Sequence, residues 1–324
     1  MRKDMSQIRR FEWPTVAMLL GAYAVFALGG WVWSSAGFVS ILLTGIALAQ
    51  FSSLQHEVLH GHPFRAQWLN EALVFPALMP FVPYLRFKDS HLQHHFDPAL
   101  TDPYDDPESN YLDPAVWAQT GCLLQRLLRW NNTLAGRVLL GPALGTWIFL
   151  RDELALLRSG DGRVLLAWGL HLIGLVPLLL WLQWVGMPIW AYLLAVYLST
   201  ALLKIRTYLE HRAHEAFRAR TVIIEDRGPL SYLFLNNNFH VVHHMHPNVA
   251  WYELPALYTS RREHYLRRND AYVYRNYGQI FRQYLWHAKD PVPHPIWPVQ
   301  HDTSSRADCA EAGTALPKAA SAQL

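Results

Sequence analysis

The sequence predicts an all-α integral membrane protein, with four transmembrane helices in two hairpins beside a cytoplasmic helical cap that holds a metal site. Residues 13–55 and 164–203 contain no Asp, Glu, Lys or Arg, and each stretch is about twice the roughly 20 residues that cross a bilayer as a helix. Charged residues make up 16% of the chain, against roughly 25% in an average soluble protein. The 17 histidines are clustered, which indicates metal chemistry next to the membrane.

Each charge-free stretch divides into two spans at a short break. The breaks are SSAG at 34–37 and GMP at 186–188, and such residues favour turns. The predicted spans are about 13–33, 36–54, 164–184 and 188–205. We expect a short N-terminus over 1–12 and a single membrane domain over 13–300. Residues 301–324 are rich in Ala and Ser and are expected to form a disordered tail.

The distribution of positive charge predicts the orientation. Neither hairpin turn carries Lys or Arg, whereas positive residues flank the outer ends of the two hairpins. These residues are Arg2, Lys3, Arg9 and Arg10 before the first span, and Lys204, Arg206 and Arg212 at the end of the last. Because positively charged loops stay in the cytoplasm, both termini and everything between the hairpins are predicted to be cytoplasmic.

Two shorter apolar stretches are not expected to span. Residues 70–87 contain Pro76, Pro80 and Pro83, and proline at that density interrupts a helix. We therefore expect an interfacial or re-entrant piece there. Residues 138–150 are too short to span and are expected at the interface.

Three histidine boxes contain most of the candidate ligands. They are HEVLHGH at 56–62, HLQHH at 91–95 and HVVHH at 240–244. Residues at i, i+3 and i+4 of a helix share a face, so the histidines of one box can point together. Imidazole suits Fe, Zn and Cu, and eight histidines exceed the ligands of one zinc, which favours two metals. The eight are His56, His60, His91, His94, His95, His240, His243 and His244.

One more ligand is expected from EHRAH at 210–214, just after the last span. His211 is preferred because it comes sooner after the membrane boundary, and His214 remains the alternative because it can share that face.

The other histidines are assigned different roles. His62 and His246 each trail a box by two residues, so we expect them to support a ligand or to face solvent. His171 lies within an apolar span and is expected to hydrogen-bond a neighbouring helix. The histidines expected on the surface are His264, His287, His294 and His301.

Two other classes of protein compete with this interpretation. HEVLH also matches HExxH, in which two histidines bind zinc and the glutamate is the general base, but a zinc protease leaves both HxxHH boxes unexplained. With two metals, Glu57 is instead expected to orient a ligand imidazole. A metal transporter should carry its ligands at mid-membrane depth, whereas these boxes flank the spans.

The boxes and this layout resemble the membrane fatty acid desaturase and hydroxylase superfamily over roughly residues 36–275. LTDP at 100–103, DPES at 106–109 and NNNFH at 236–240, followed by Pro247 and WY at 251–252, resemble its bacterial branch. That branch includes the dihydrorhizobitoxine desaturase, which acts on an amino-acid-derived compound.

The resemblance implies a function and a set of partners. The nine ligands would be the eight box histidines and His211, with Asn237 or Asn238 near one metal. They would hold two iron ions, cycling between Fe²⁺ and Fe³⁺, with O2 as co-substrate. The expected reaction is desaturation of a fatty acyl lipid; the alternatives are desaturation of an amino-acid-derived metabolite and hydroxylation or ketolation of a lipid. The expected location is a bacterial inner membrane.

Electrons must come from outside the chain. The two cysteines are far apart and no CxxC occurs, which argues against a built-in rubredoxin or ferredoxin. A separate ferredoxin, rubredoxin or cytochrome is therefore expected. The pairs Arg261-Arg262 and Arg267-Arg268 form a basic cluster that would contact anionic headgroups or dock an acidic carrier.

Overall fold

The structure is a computed structural model that describes residues 11–297. The predicted tail lies outside the described residues, as does nearly all of the predicted N-terminus. The described α-helices are, in chain order, Trp13–Trp31 (α1), Gly37–Leu59 (α2), Gln67–Leu73 (α3), Tyr84–His94 (α4), Pro114–Gln119 (α5), Cys122–Asn131 (α6), Leu134–Leu139 (α7), Gly141–Arg158 (α8), Gly162–Val185 (α9), Ile189–Thr207 (α10), Pro229–Leu233 (α11), His240–Met245 (α12), Leu254–Ser260 (α13), Arg262–Arg268 (α14) and Tyr277–Tyr284 (α15). The described strands, Ile223–Ile224 (β1) and Val273–Tyr274 (β2), pair in parallel.

Four helices in the described part of the chain are long and apolar enough to cross a membrane. They cover Trp13–Ser34, Gly37–Leu59, Gly162–Val185 and Ile189–Thr207, where the first includes a short 3₁₀ turn after α1. The predicted all-α fold with four spans is therefore confirmed. The largest difference from the predicted bounds is at α2, which continues into the first histidine box and ends at Leu59. Gly61 follows with a φ of +100°, which is incompatible with a right-handed helix.

The second hairpin shows how the sequence produces its turn. Gly186 has a φ of +70°, a left-handed conformation that costs glycine little. Its N–H and that of Met187 donate to carbonyls in the last turn of α9, which caps that helix. Pro188 then precedes α10, so the break predicted at 186–188 is the observed turn.

The core lies between the two hairpins, with α2 at its centre. Leu48 and Leu54 of α2 are fully buried, as is Ala195 of α10. Gly45 lets α10 approach closely, because a Cβ at that position would lie 2.9 Å from the Leu198 side chain. The outer face of α9 exposes leucines instead, such as Leu172 at 60%, as expected for a surface in contact with lipid.

The proline-rich segment after α3 packs against the second hairpin. Its backbone is irregular over 74–83, and its polar groups are bonded by the spans. Ala77 N–H donates to Gly174 O at 2.9 Å, Tyr192 donates its hydroxyl to Leu78 O, and His171 Nε2 lies 3.0 Å from Pro80 O. The expected partner of His171 was a helix, so this assignment is corrected: its partner is a carbonyl that the prolines leave without a helical bond.

Candidate metal centre

Nine histidines converge in two adjacent groups beside the C-terminal ends of α2 and α10. In each group the ligand nitrogens all lie within 4.8 Å of one another. The five-histidine group consists of His56, His60, His91, His95 and His243. The four-histidine group consists of His94, His211, His240 and His244. These are the nine histidines that the sequence singled out.

Each HxxHH box contributes to both groups. The first and last histidines of box two belong to the five-histidine group, while the middle one, His94, belongs to the other. Box three is reversed, and only its middle histidine, His243, joins the five-histidine group. Side chains at i and i+4 of a helix differ by about 40° in direction, whereas i+3 and i+4 differ by about 100°. The expectation that a whole box points to one place is therefore corrected, since each box lies between the groups.

The ring nitrogens face one another at the distances expected around shared metal ions. The Nε2 atoms of His91 and His95 are 3.0 Å apart, and those of His211 and His240 are also 3.0 Å apart. The Nε2 atoms of His56, His60 and His244 are buried and have no hydrogen-bond partner among the described residues. A buried polar atom without a partner is costly, and metal ligation would remove that cost.

Carboxylates from the segment after box two bond to the Nδ1 atoms of two histidine rings. His94 donates from Nδ1 to Asp106 at 2.7 Å, and His91 pairs with Glu108 at 2.9 Å. Asp106 also accepts the backbone N–H groups of Thr101 and Glu108, so it fixes the loop as well as the ring. Such partners orient a metal-binding imidazole and select its tautomer.

Asn237 connects another histidine to a buried ion pair. Its amide oxygen lies 3.3 Å from His240 Nδ1, while its amide nitrogen donates to Glu210 at 2.8 Å. Glu210 in turn lies 3.2 Å from Arg206. Asn238, the other candidate, donates to the backbone of β1 instead. Of the two asparagines named from the sequence, Asn237 is therefore the one that contacts a site histidine.

Burial keeps most of these rings neutral. It lowers the pKa of His60, His211 and His240 well below the usual value, and repulsion from neighbouring histidines lowers it further. A neutral imidazole has the lone pair that a metal needs. Burial also acts to lower the pKa of His94, but Glu108 and Asp106 outweigh it and raise that pKa to about 9. The carboxylates thus favour positive charge at this ring.

The structure separates the two candidates after the last span. His211 lies within the four-histidine group and forms an isolated antiparallel bridge with Thr221, two residues before β1. His214 is partly exposed and lies 3.4 Å from Asp270, outside both groups. The geometry therefore favours His211.

Several supporting residues differ from expectation. Glu57 is buried and accepts a hydrogen bond from Trp251 N–H at 3.3 Å, so its carboxylate holds backbone and not a ligand ring. His62 is neither solvent-facing nor bonded to a ligand, because it is 1% exposed and pairs with Glu12 at 2.8 Å. His294, expected on the surface, is buried since its backbone N–H pairs with Leu112 O.

Other histidines agree better with expectation. His264 and His287 are exposed, His246 is half-buried against Tyr265, and His301 lies outside the described residues.

The basic cluster is mostly paired. Arg262 contacts Glu225 at 2.6 Å and Arg268 contacts Asp97 at 3.1 Å. Asp97 lies 3.4 Å from His244 Nδ1, so Arg268 is linked through one carboxylate to the four-histidine group. This link, together with Asp106 and Glu210, was not recognised from the sequence; the only signal was the presence of acidic residues close to the boxes.

The fold and this site define a helical membrane protein with a buried histidine cluster that is compatible with metal binding. The family model described as Fatty acid desaturase matches residues 31–276, about three quarters of the chain. No curated protein matches the chain. The chain belongs to the fatty acid desaturase family, and this membership implies an oxidoreductase with a desaturase- or hydroxylase-type reaction.

Proposed function

We propose that the chain is an O2-dependent diiron desaturase that introduces a carbon–carbon double bond into a fatty acyl chain or a similar lipid-like molecule. The observation that carries this proposal is the convergence of nine imidazoles in two adjacent groups. Each of the two histidine groups would hold one iron, because a single ion cannot accept nine ligands. With both termini cytoplasmic, the site would face the cytoplasm at a bacterial inner membrane.

The chain's own residues would position the metals and exclude water. Bound iron would supply the O2 chemistry that removes hydrogen from an unactivated C–H bond. Asp106 and Glu108 keep their histidines oriented, and the C-terminal end of α2, which carries His56, is buried. The carboxylate that an HExxH protease needs as its base is bonded to Trp251 N–H, which argues against that alternative.

Neighbouring reactions of the same family are the alternatives. Loss of a second hydrogen gives an alkene, whereas return of oxygen to the first carbon gives an alcohol, and a barrier difference of about 1.4 kcal/mol changes the ratio tenfold. Hydroxylation or ketolation of a lipid therefore needs only small changes around the substrate. The segments 100–109 and 236–240 resemble the bacterial branch that includes dihydrorhizobitoxine desaturase. Desaturation of an amino-acid-derived metabolite is therefore a further alternative.

Each turnover would take two electrons from the substrate and two from a separate carrier, a ferredoxin, rubredoxin or cytochrome. Arg261 and Arg267 are exposed and lie beside Arg268, which is linked to the four-histidine group. An acidic carrier that docks on this cluster would approach the metals closely. If a carrier docks there, the double variant Arg261→Gln/Arg267→Gln should have a higher apparent Michaelis constant for the carrier. An unchanged constant would instead support contact with lipid headgroups as the role of these arginines.

Lipid and metabolite profiling tests the proposed reaction. Cells that express the chain are compared with cells that express His240→Ala, which lacks one imidazole of the four-histidine group. We expect a product with one additional double bond only with the unaltered chain. A new hydroxyl group would support the hydroxylase alternative, and identical profiles at equal protein levels would count against both.

A further inference from the structure

A cavity of about 580 Å³ borders the metal centre, a size typical of small-molecule sites. It reaches from His211, Glu108 and Glu210 at the centre to α8 and α10. Its apolar wall consists mainly of Phe81, Phe87, Leu144, Ile148, Phe149 and Leu203. Because a site histidine forms part of its lining, a molecule bound here would lie next to the metals.

The acidic side chains that line this cavity all have positively charged or histidine partners. Glu153 pairs with Arg86 at 2.9 Å, and Glu210 lies 3.2 Å from Arg206. These two pairs are internal to the cavity wall. The remaining two acids use partners that do not line the cavity, because Glu108 contacts His91 and Asp152 contacts Arg151, each at 2.9 Å.

Two cations of the wall are left without a carboxylate. Among the described residues, neither Lys204 nor Arg137 has an acidic oxygen within 4.0 Å. Arg137 is buried and donates only to neutral oxygens of asparagines, such as Asn132 Oδ1 at 3.2 Å. Burial lowers the pKa of Arg137 to about 10, so the guanidinium still carries its charge at pH 7.

The aliphatic parts of these two side chains lie next to each other, and both residues line the cavity. A Cβ on Gly141 would meet Arg137 Cδ at 3.2 Å and Lys204 Cγ at 3.4 Å. One turn further along α8, a Cβ on Gly145 would lie 3.3 Å from Lys204 Nζ. The glycines of α8 thus leave room for two like-charged side chains. Glu108 and Glu210 act favourably on the Lys204 charge from a distance, but neither contacts it, so a bound anion would supply the direct partner that the two cations lack.

We propose that this cavity binds a substrate with an anionic group, a carboxylate or a phosphate, that pairs with Lys204 and Arg137 while its apolar part lies along α8. The inference rests on the proposed function, since it assigns the substrate of that same centre. An anion between two cations in a partly enclosed, apolar cavity forms stronger hydrogen bonds than neutral groups do. The substrate is accordingly an anionic small molecule and not a neutral diacyl lipid.

The test compares ligands that differ only in charge. Octanoate, octanamide and octyl phosphate are titrated into the full-length protein in lipid nanodiscs, and the dissociation constants are measured. The variants are Lys204→Met, the charge-preserving Lys204→Arg, and Arg158→Met, which removes an exposed charge from the far end of α8. Iron content and melting temperature are recorded for every sample, so that a loss of fold or of metal is seen separately.

We expect octanoate or octyl phosphate to bind about tenfold more tightly than octanamide. This preference should fall to within about twofold in Lys204→Met and persist in Lys204→Arg and Arg158→Met. Whichever anion binds more tightly identifies the group. Equal binding of anion and amide by the unaltered protein, or an unchanged preference in Lys204→Met, would overturn the inference. If the charge preference is absent in protein that holds two irons, the inference fails and the proposed function stands. If the protein holds no iron, the proposed function is contradicted, and the charge preference can still be measured.

Discussion

The two histidine groups differ in how their rings are held. In the four-histidine group, His94 and His244 each face an aspartate, and His240 faces Asn237. In the five-histidine group, the described hydrogen bonds reach a carboxylate only at His91. Its other rings pack edge-on against one another, as His56 does against His60 at 4.9 Å between centroids.

The difference follows from where the ligands sit. Two rings of the five-histidine group come from the last turn of α2, a buried helix that fixes their direction by packing. Both groups share α4 and α12, but the four-histidine group has no ring from a buried spanning helix of this kind, and its rings rely more on polar partners for their orientation. The groups should therefore respond differently to loss of a ligand, of a carboxylate and of a remote charge.

The largest effect is expected from a ligand of the four-histidine group. His211→Ala leaves three imidazoles there, so we expect metal content to fall from about two ions per chain to about one, and activity to fall below ~1%. His214→Ala is the matched control, because that ring lies outside both groups. Metal content and turnover are measured for both variants. Equal losses would contradict the choice of His211 over His214, and a loss only in His214→Ala would reverse it.

Loss of a carboxylate should separate the two groups. Asp106→Asn weakens the partner of His94 and should lower the affinity of the four-histidine group for metal by roughly 10–100-fold. Glu108→Gln should act mainly on the five-histidine group, because Glu108 is hydrogen-bonded to His91 at 2.9 Å whereas its contact with His94 is longer, at 3.9 Å. Chelator titrations followed by a spectroscopic signal for each metal would show which ion leaves first.

The control for these two variants is Asp105→Asn, an exposed neighbour in the same loop, which should leave both affinities unchanged. If Asp106→Asn and Glu108→Gln released the same ion first, the comparison between the groups would be wrong.

A smaller effect is expected at the link to the basic cluster. Arg268→Gln leaves Asp97 without its cation, which weakens the support of His244, and we expect a ~3–10-fold loss of metal affinity confined to the four-histidine group. Arg267→Gln removes a nearby charge that contacts only Glu263 at 3.5 Å among the described ion pairs. Identical affinities in the two variants would show that Arg268 does not act through Asp97.

The smallest effect is expected next to the five-histidine group. Glu57→Gln retains an oxygen that can accept from Trp251 N–H, so metal content should stay within about twofold of the unaltered chain. A zinc protease would lose its general base and all activity. Turnover and metal content measured on the same sample separate these outcomes.

The sequence was sufficient for the spans and for the eight box histidines, because both follow local rules, whereas the choice of His211 over His214 remained open until the fold was known. Twenty apolar residues and a Gly-Met-Pro break define a hairpin, and histidines spaced by three or four residues define a helix face. Helix spacing explains why each HxxHH box is divided, but which histidines join which group depends on the packing of α4 and α12.

The supporting residues depended on distant parts of the chain. Glu57 pairs with Trp251 and His294 is buried against the segment before α5. Asp97 reaches Arg268 in α14. Nothing in the local pattern around these residues specifies such partners, so their roles emerge only once the cap is assembled.

The most direct test of the central claim is the metal content of the purified full-length protein, determined by elemental analysis together with Mössbauer spectroscopy. We predict about two irons per chain in two distinct environments, one for each histidine group. A single zinc ion per chain, bound through His56 and His60, would contradict the account.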